Sequence, residues 1–147
     1  FKEKLRLSAY GKYLLSLIRE YGLQEKVVML GKLEAAEMKQ RFLKSSVFVC
    51  PSVLENSPNT VGEAMLLGVP AVAADTGGIP SMMENGKEGL LYEPGNVKML
   101  AGCVLRTWEE KGETAQRAAA ARTRALAAHD GERNFKRLLA IYEEIVQ

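Results

Sequence analysis

The sequence predicts an alternating α/β fold built on a parallel sheet of at least four strands. Two observations carry that expectation. Short apolar runs at residues 26–30 (KVVML), 47–50 (VFVC), 71–74 (AVAA) and 90–92 (LLY) read as buried strands, and segments with helical apolar spacing separate them. Residues 47–80 (VFVCPSVLENSPNTVGEAMLLGVPAVAADTGGIP) then read strand, loop, helix, strand, which implies a right-handed crossover between parallel strands. In such sheets ligands bind at the carboxyl ends of the strands, where loops meet helix N-termini.

Taken in order, residues 8–21 place Tyr10, Leu14, Leu17, Ile18 and Tyr21 at helical spacing, and Gly22 stops the helix as a left-handed cap. The strand at 26–30 ends at Gly31. Residues 34–44 form a helix with Ala35, Met38 and Phe42 on one face. Pro51 closes the strand at 47–50, because proline cannot donate to a ladder. A loop carries Glu55, and a short helix runs from near Thr60 to Gly68. Thr76-Gly77-Gly78 turns the chain after the strand at 71–74. Pro80 starts a short helix over 79–85, with Gly86 beyond its end. Asn96 caps a helix with a broad apolar stripe through Val97, Leu100, Ala101, Val104, Leu105 and Trp108. An Ala-rich helix fills 113–128, His129-Asp130-Gly131 interrupts it, and a last helix over 132–146 aligns Phe135, Leu138, Leu139, Tyr142 and Val146.

The 147 residues suffice for one domain, with 47% apolar and 26% charged residues as in an ordinary soluble globular protein. A net charge of +2 is too small to argue for nucleic acid or a membrane surface. The apolar runs fall far short of the roughly 18 residues a membrane span needs. No signal peptide is visible, and Cys50 and Cys103 read as free, buried thiols of a cytosolic protein. No His/Cys cluster offers a metal site. The chain starts at Phe1 and with a helix, so a preceding strand or domain is expected.

Glu55 and Glu63 bracket seven residues, and Glu63 opens Glu63-Ala64-Met65 ahead of Gly68-Val69-Pro70. Thr76-Gly77-Gly78-Ile79-Pro80 follows, with Val27-Val28-Met29-Leu30-Gly31 upstream and Gly86-Lys87-Glu88-Gly89-Leu90-Leu91 downstream. This order resembles the C-terminal half of the retaining glycosyltransferases of the GT-B fold, whose two domains are Rossmann-like and which carry an E-x7-E motif. The resemblance is strong over residues 27–94. It implies one C-terminal domain over 1–147, of three α/β/α layers, that binds a UDP-, GDP- or ADP-sugar without a cofactor or required metal. The acceptor, a glycan or lipid, would be held by a missing N-terminal domain.

The same resemblance implies residue roles. Glu55 is the catalytic candidate and would contact the donor sugar's hydroxyls, with Ser57 beside it. Asn59, Thr60 and Val61 would offer backbone N–H groups to the diphosphate, and Glu63 would bind the ribose hydroxyls. Gly31, Lys32 and Leu33 would lie beside the nucleobase. A helix N-terminus suits a diphosphate because its unpaired N–H groups and dipole match the charge, and a carboxylate can accept from two vicinal hydroxyls. Two departures stand out: Ser57 where an aromatic residue is frequent, and Ser81 where the G-G-x-P-E pattern has glutamate. The Arg and Lys that neutralise the departing diphosphate would precede Phe1, so the fragment alone is expected to bind nucleotide and transfer little. A cytoplasmic enzyme of polysaccharide or glycolipid synthesis, at most peripheral at the inner membrane face, is the implied setting. A nucleotide-sugar epimerase of the same fold and a non-catalytic nucleotide-sugar-binding module are the alternatives.

Several of these residues also have plain structural readings. Thr60 to Glu63 fits a capping box. Gly77-Gly78 is first a tight turn, and second a close approach to substrate. Lys32 reads first as a surface lysine, and second as a nucleobase-loop contact. His129 reads as an exposed residue near a cap. Arg117, Arg122 and Arg124 read as a solvated helix, and Trp108 and the Phe135–Tyr142 stripe as core or interdomain packing.

Overall fold

The computed structural model describes residues 8–146. The chain divides into two compact units, Phe1–Glu34 and Ala35–Gln147. In the first, helix α1 (Ala9–Glu20) starts where the Ser8 side chain accepts from the Gly11 N–H at 3.1 Å. It ends in a Schellman motif: Gly22 takes φ +63°, its N–H donates to Arg19 O, and the Leu23 N–H donates to Ile18 O. Residues 26–30 do not form the expected strand. The Lys26 and Val27 N–H groups both donate back to Leu23 O, so the run opens as a turn, and Val28 is 76% exposed. A β-branched run becomes a strand only where a neighbour supplies ladder hydrogen bonds, and among the described residues none does.

The second unit runs α2 (Ala35–Leu43), β1 (Phe48–Cys50), α3 (Asn59–Leu66), β2 (Ala71–Ala74), α4 (Ile79–Met82), β3 (Leu90–Tyr92), α5 (Val97–Glu109), α6 (Lys111–Ala128) and α7 (Gly131–Val146). Three parallel strands in the order β1-β2-β3 form the sheet, with Phe48 opposite Ala71 and Val72 opposite Leu90. The described residues therefore hold three strands, where at least four were expected.

The sheet is covered on both faces, as parallel sheets are. Cys50, Ala71, Ala73 and Leu91 pack against Val61 and Met65 of α3, Ile79 and Met83 at α4, and Ala121 and Ala125 of α6. Val72, Ala74, Leu90 and Tyr92 face Leu100, Cys103 and Val104 of α5. This is a three-layer α/β/α arrangement. Met65, Ile79 and Met83 are fully buried, each worth about 1.5–3 kcal/mol. Phe42 of α2 meets Phe48 edge-on at 5.2 Å and closes the β1 side. Both cysteines are free, as expected, but only Cys50 is buried; Cys103 is partly exposed.

Two expectations about side chains are corrected. Arg117 is buried, not solvated: its Nη2 donates to Thr114 Oγ1 at 2.8 Å, and its Nη1 lies 3.1 Å from Glu113 and 3.6 Å from Glu110. The cause is the elbow at Glu110, which ends α5 and begins α6 and so folds the two helices together over Arg117. Of the two readings of Trp108, core or interdomain packing, the core one does not hold, because the side chain is 61% exposed. The inward line of α5 runs through Leu100, Cys103, Val104 and Thr107, which leaves Trp108 on the next face. Arg122 is exposed, as expected, and Arg124 is only partly so. The stripe of α7 is exposed, with Phe135 at 58% and Tyr142 at 59%.

Candidate functional site

The loop 51–58 leaves the carboxyl end of β1 and delivers the chain to α3. It brings Glu55, Ser57, Asn59, Thr60, Val61 and Glu63 onto one loop and the helix start that follows. The loop rests on the turn after β2. Thr76 Oγ1 donates to Val53 O at 3.0 Å, and a Cβ on Gly77 or Gly78 would overlap the carbonyl oxygen of Glu55 or Asn56. Gly77 also takes φ +54°. The turn is tight, as the first reading of the pair expects; the close approach seen is to the chain's own Glu55–Asn56 backbone and not to a substrate.

Helix α3 starts one residue earlier than expected. Pro58 is its N-cap, and no side chain caps it. The Thr60–Glu63 capping box therefore does not form, because Thr60 already sits inside the first turn. The Val61 N–H donates to Pro58 O at 3.1 Å. The N–H groups of Asn59 and Thr60 have no acceptor among the described residues, as befits the first turn of a helix. Asn59 and Glu63 stand one turn apart on the same exposed side, about 6 Å along the axis. The carboxylates of Glu55, partly buried, and Glu63, exposed, make no ion pair or hydrogen bond among the described residues. A second Schellman motif ends α3, with Gly68 at φ +70° and the Val69 N–H donating to Ala64 O at 2.9 Å.

Gly31, Lys32 and Leu33 belong to the first unit and are described there: Gly31 takes φ +69°, and Lys32 is exposed. His129 is exposed at the C-cap of α6, as expected, and its Nε2 would lie 3.0 Å from a Cβ on Gly62. An open groove of about 930 Å³ lies at the opposite, amino-terminal edge of the sheet, beside Ser46, Pro70, Trp108 and Arg122, and is separate from the loop of Glu55.

Sequence reasoning missed the supports of this site. Ser81, noted only as a departure, donates its hydroxyl to Gly78 O at 2.7 Å. Arg124 reaches Ser81 O at 2.8 Å and Glu88 at 3.3 Å, and buried Glu88 accepts from the Glu84 N–H at 2.8 Å. Arg124 and Glu88 are 36 positions apart, and no local pattern links them.

Fold and site together define a parallel α/β domain with the Glu55 loop at the carboxyl ends of its strands. The chain belongs to the family described as glycosyl transferases group 1, whose pattern matches residues 2–124. It is 41% identical over 92 residues to the sulfoquinovosyl transferase SQD2 of Arabidopsis thaliana, covering 59% of this chain and 18% of that protein. It is 31% identical over 103 residues to a putative colanic acid biosynthesis glycosyltransferase, WcaL, of Salmonella typhimurium, covering 66% and 25%. Among solved structures it resembles Anabaena HepE in complex with UDP, with a TM-score of 0.85, 29% identity, and coverage of 92% of this chain and 37% of that one. HepE has also been solved with UDP-glucose. The chain thus spans about a fifth to a quarter of these two curated relatives. Its neighbours are GT-B glycosyltransferase domains that make up part of longer chains. Among the described residues, no helix is long and apolar enough to cross a membrane.

Proposed function

We propose that this chain is the donor-binding domain of a retaining glycosyltransferase that moves a hexose from a nucleotide diphosphate sugar to a glycan or lipid acceptor. The observation that carries this reading is the start of α3, where two backbone N–H groups and the carboxylates of Glu55 and Glu63, on the loop and helix around them, have no partner among the described residues. The Asn59 and Thr60 N–H groups, with Val61 behind them, take the diphosphate; Glu63, one turn on, accepts from the ribose hydroxyls. Glu55, with Ser57 beside it, accepts from the hydroxyls of the sugar. The helix N-terminus stabilises the charge that develops on the leaving diphosphate, and the acceptor attacks from the same face. The acceptor and the remaining positive charge come from another part of the protein. Family membership supports the chemistry, and the UDP and UDP-glucose complexes of HepE support the ligand class.

The test is a calorimetric titration with UDP, GDP and ADP at low salt. Saturable binding of one of them is expected, and Glu63→Ala should weaken it at least about tenfold, or about 1.4 kcal/mol. Because Glu63 caps nothing, the same substitution should change stability by less than about 0.5 kcal/mol. Unchanged affinity in Glu63→Ala would sink the assigned role. Absence of binding by the full-length protein would sink the reading itself.

A further inference from the structure

We infer that Arg124, held by Glu88, is a positioning residue for Glu55, acting across the whole width of the site from α6. The inference rests on the donor-site reading above.

The contacts form a continuous path. The Arg124 guanidinium donates to Ser81 O, a carbonyl in the last turn of α4 that the short helix itself leaves unpaired. Ser81 in turn donates both its hydroxyl and its N–H to Gly78 O, at 2.7 and 3.1 Å. Gly78 and Gly77 carry the Asn56 and Glu55 carbonyls so closely that neither tolerates a Cβ. A displacement of α4 is therefore passed to the Glu55 backbone by steric contact. Glu88 fixes the far end: its buried carboxylate takes Arg124 and the Glu84 N–H, so the residues just after α4 are pinned to the same guanidinium.

Two features argue that the arrangement is specific. Arg124 uses both terminal nitrogens, on two acceptors in different segments, which a flexible ammonium could not match. Neighbouring Arg122 makes no ion pair among the described residues. By contrast, α3 is held by the apolar core, through Val61 and Met65, and by its own Schellman turn, and none of these contacts uses the Arg124 guanidinium. Loss of Arg124 should therefore disturb Glu55, the sugar contact, while sparing Glu63 and the diphosphate donors.

The experiment uses the full-length protein, with UDP, GDP and ADP and with UDP-glucose, GDP-mannose and ADP-glucose as probes. In Arg124→Ala, kcat should fall about tenfold to a hundredfold, the penalty of a misplacement near 1 Å. The affinity for the bare nucleotide should stay within about twofold, and the preference for nucleotide sugar over bare nucleotide should vanish. Arg124→Lys should recover part of the loss, and Arg122→Ala should show none. Glu88→Gln keeps the shape of the side chain and should show the same split at smaller amplitude, which guards against an Arg124→Ala protein that fails to fold. Wild-type kcat and sugar preference in Arg124→Ala and Glu88→Gln would overturn the inference, however far the melting temperature dropped. If the wild-type protein neither binds nor transfers, the donor-site reading fails. Amide hydrogen exchange then decides the positioning alone: faster exchange at Glu55, Asn56 and Ser57 in Arg124→Ala sustains it, and unchanged exchange overturns it.

Discussion

At the α5–α6 elbow Arg106, Glu110, Glu113 and Arg117 pair with one another; at the start of α3 the carboxylates of Glu55 and Glu63 have no partner among the described residues. Arg106 lies 2.7 Å from Glu110 and 3.3 Å from Glu113, Arg117 reaches the same two carboxylates, and Thr114 ties the cluster to Thr107 O at 2.9 Å. Glu55 and Glu63, in contrast, lie on the loop before and on the first turns of an uncapped helix and pair with no cation among the described residues. Both regions are polar and both sit at helix ends. The elbow has its hydrogen-bonding capacity used up internally, which is the mark of a structural joint. The helix start leaves its capacity unused among the described residues, which is what the proposed donor site requires.

The largest effect expected is at the turn under Glu55. Gly77→Ala must both overlap the Glu55 carbonyl and hold a side chain at φ +54°, so a loss of at least about 3 kcal/mol, or failure to fold, is expected in thermal unfolding. A stable Gly77→Ala protein with unchanged nucleotide binding would break the comparison, because the donor loop would then not depend on that contact. Next in size is Arg117→Ala. It removes a buried guanidinium shared by two partly exposed carboxylates and a hydroxyl, and should cost about 1–3 kcal/mol in denaturant unfolding while leaving nucleotide affinity unchanged. A drop in affinity would show that the elbow is not merely a joint.

The smallest effect is with pH. For Glu110, partial burial raises the pKa, but the hydrogen bond and charge of Arg106 outweigh it and hold the carboxyl below its ordinary 4.5. The depressed value means that the folded state favours the carboxylate. The resulting stability is present above pH 4.5 and is lost as pH falls through the lowered value. Melting temperatures followed from about pH 6 to about pH 3 should therefore drop slightly more for the wild type than for Glu110→Gln. Identical curves would mean that the elbow's ion pairs contribute nothing net.

Much of the architecture was legible because local chemistry dictates it. Gly22 and Gly68 mark Schellman ends, Asn96 accepts from the Met99 N–H at 3.0 Å to start α5, and Ala71–Ala74 and Leu90–Tyr92 are strands as expected. Residues 26–30 misled because β-propensity is a statement about neighbours, and no neighbour was visible in the run itself. Trp108 misled because a broad apolar stripe does not say which of its edges turns inward.

By itself, then, the sequence determined the alternation of elements from residue 35 onward, the glycine-marked ends of α1 and α3, and the placing of Glu55 and Glu63 around one helix start. All of these follow from interactions within a few residues. Only the tertiary structure decided that Pro58, not Thr60, begins α3, that Gly77 and Gly78 make room for the chain's own backbone, and that Arg117 is buried while Arg122 is exposed. It alone joined Arg124 to Glu88 and Ser81. The physical reason is common to all four. A side chain's partner across tens of residues is fixed by how layers pack, and periodicity along one helix carries no information about what the next layer presents to it.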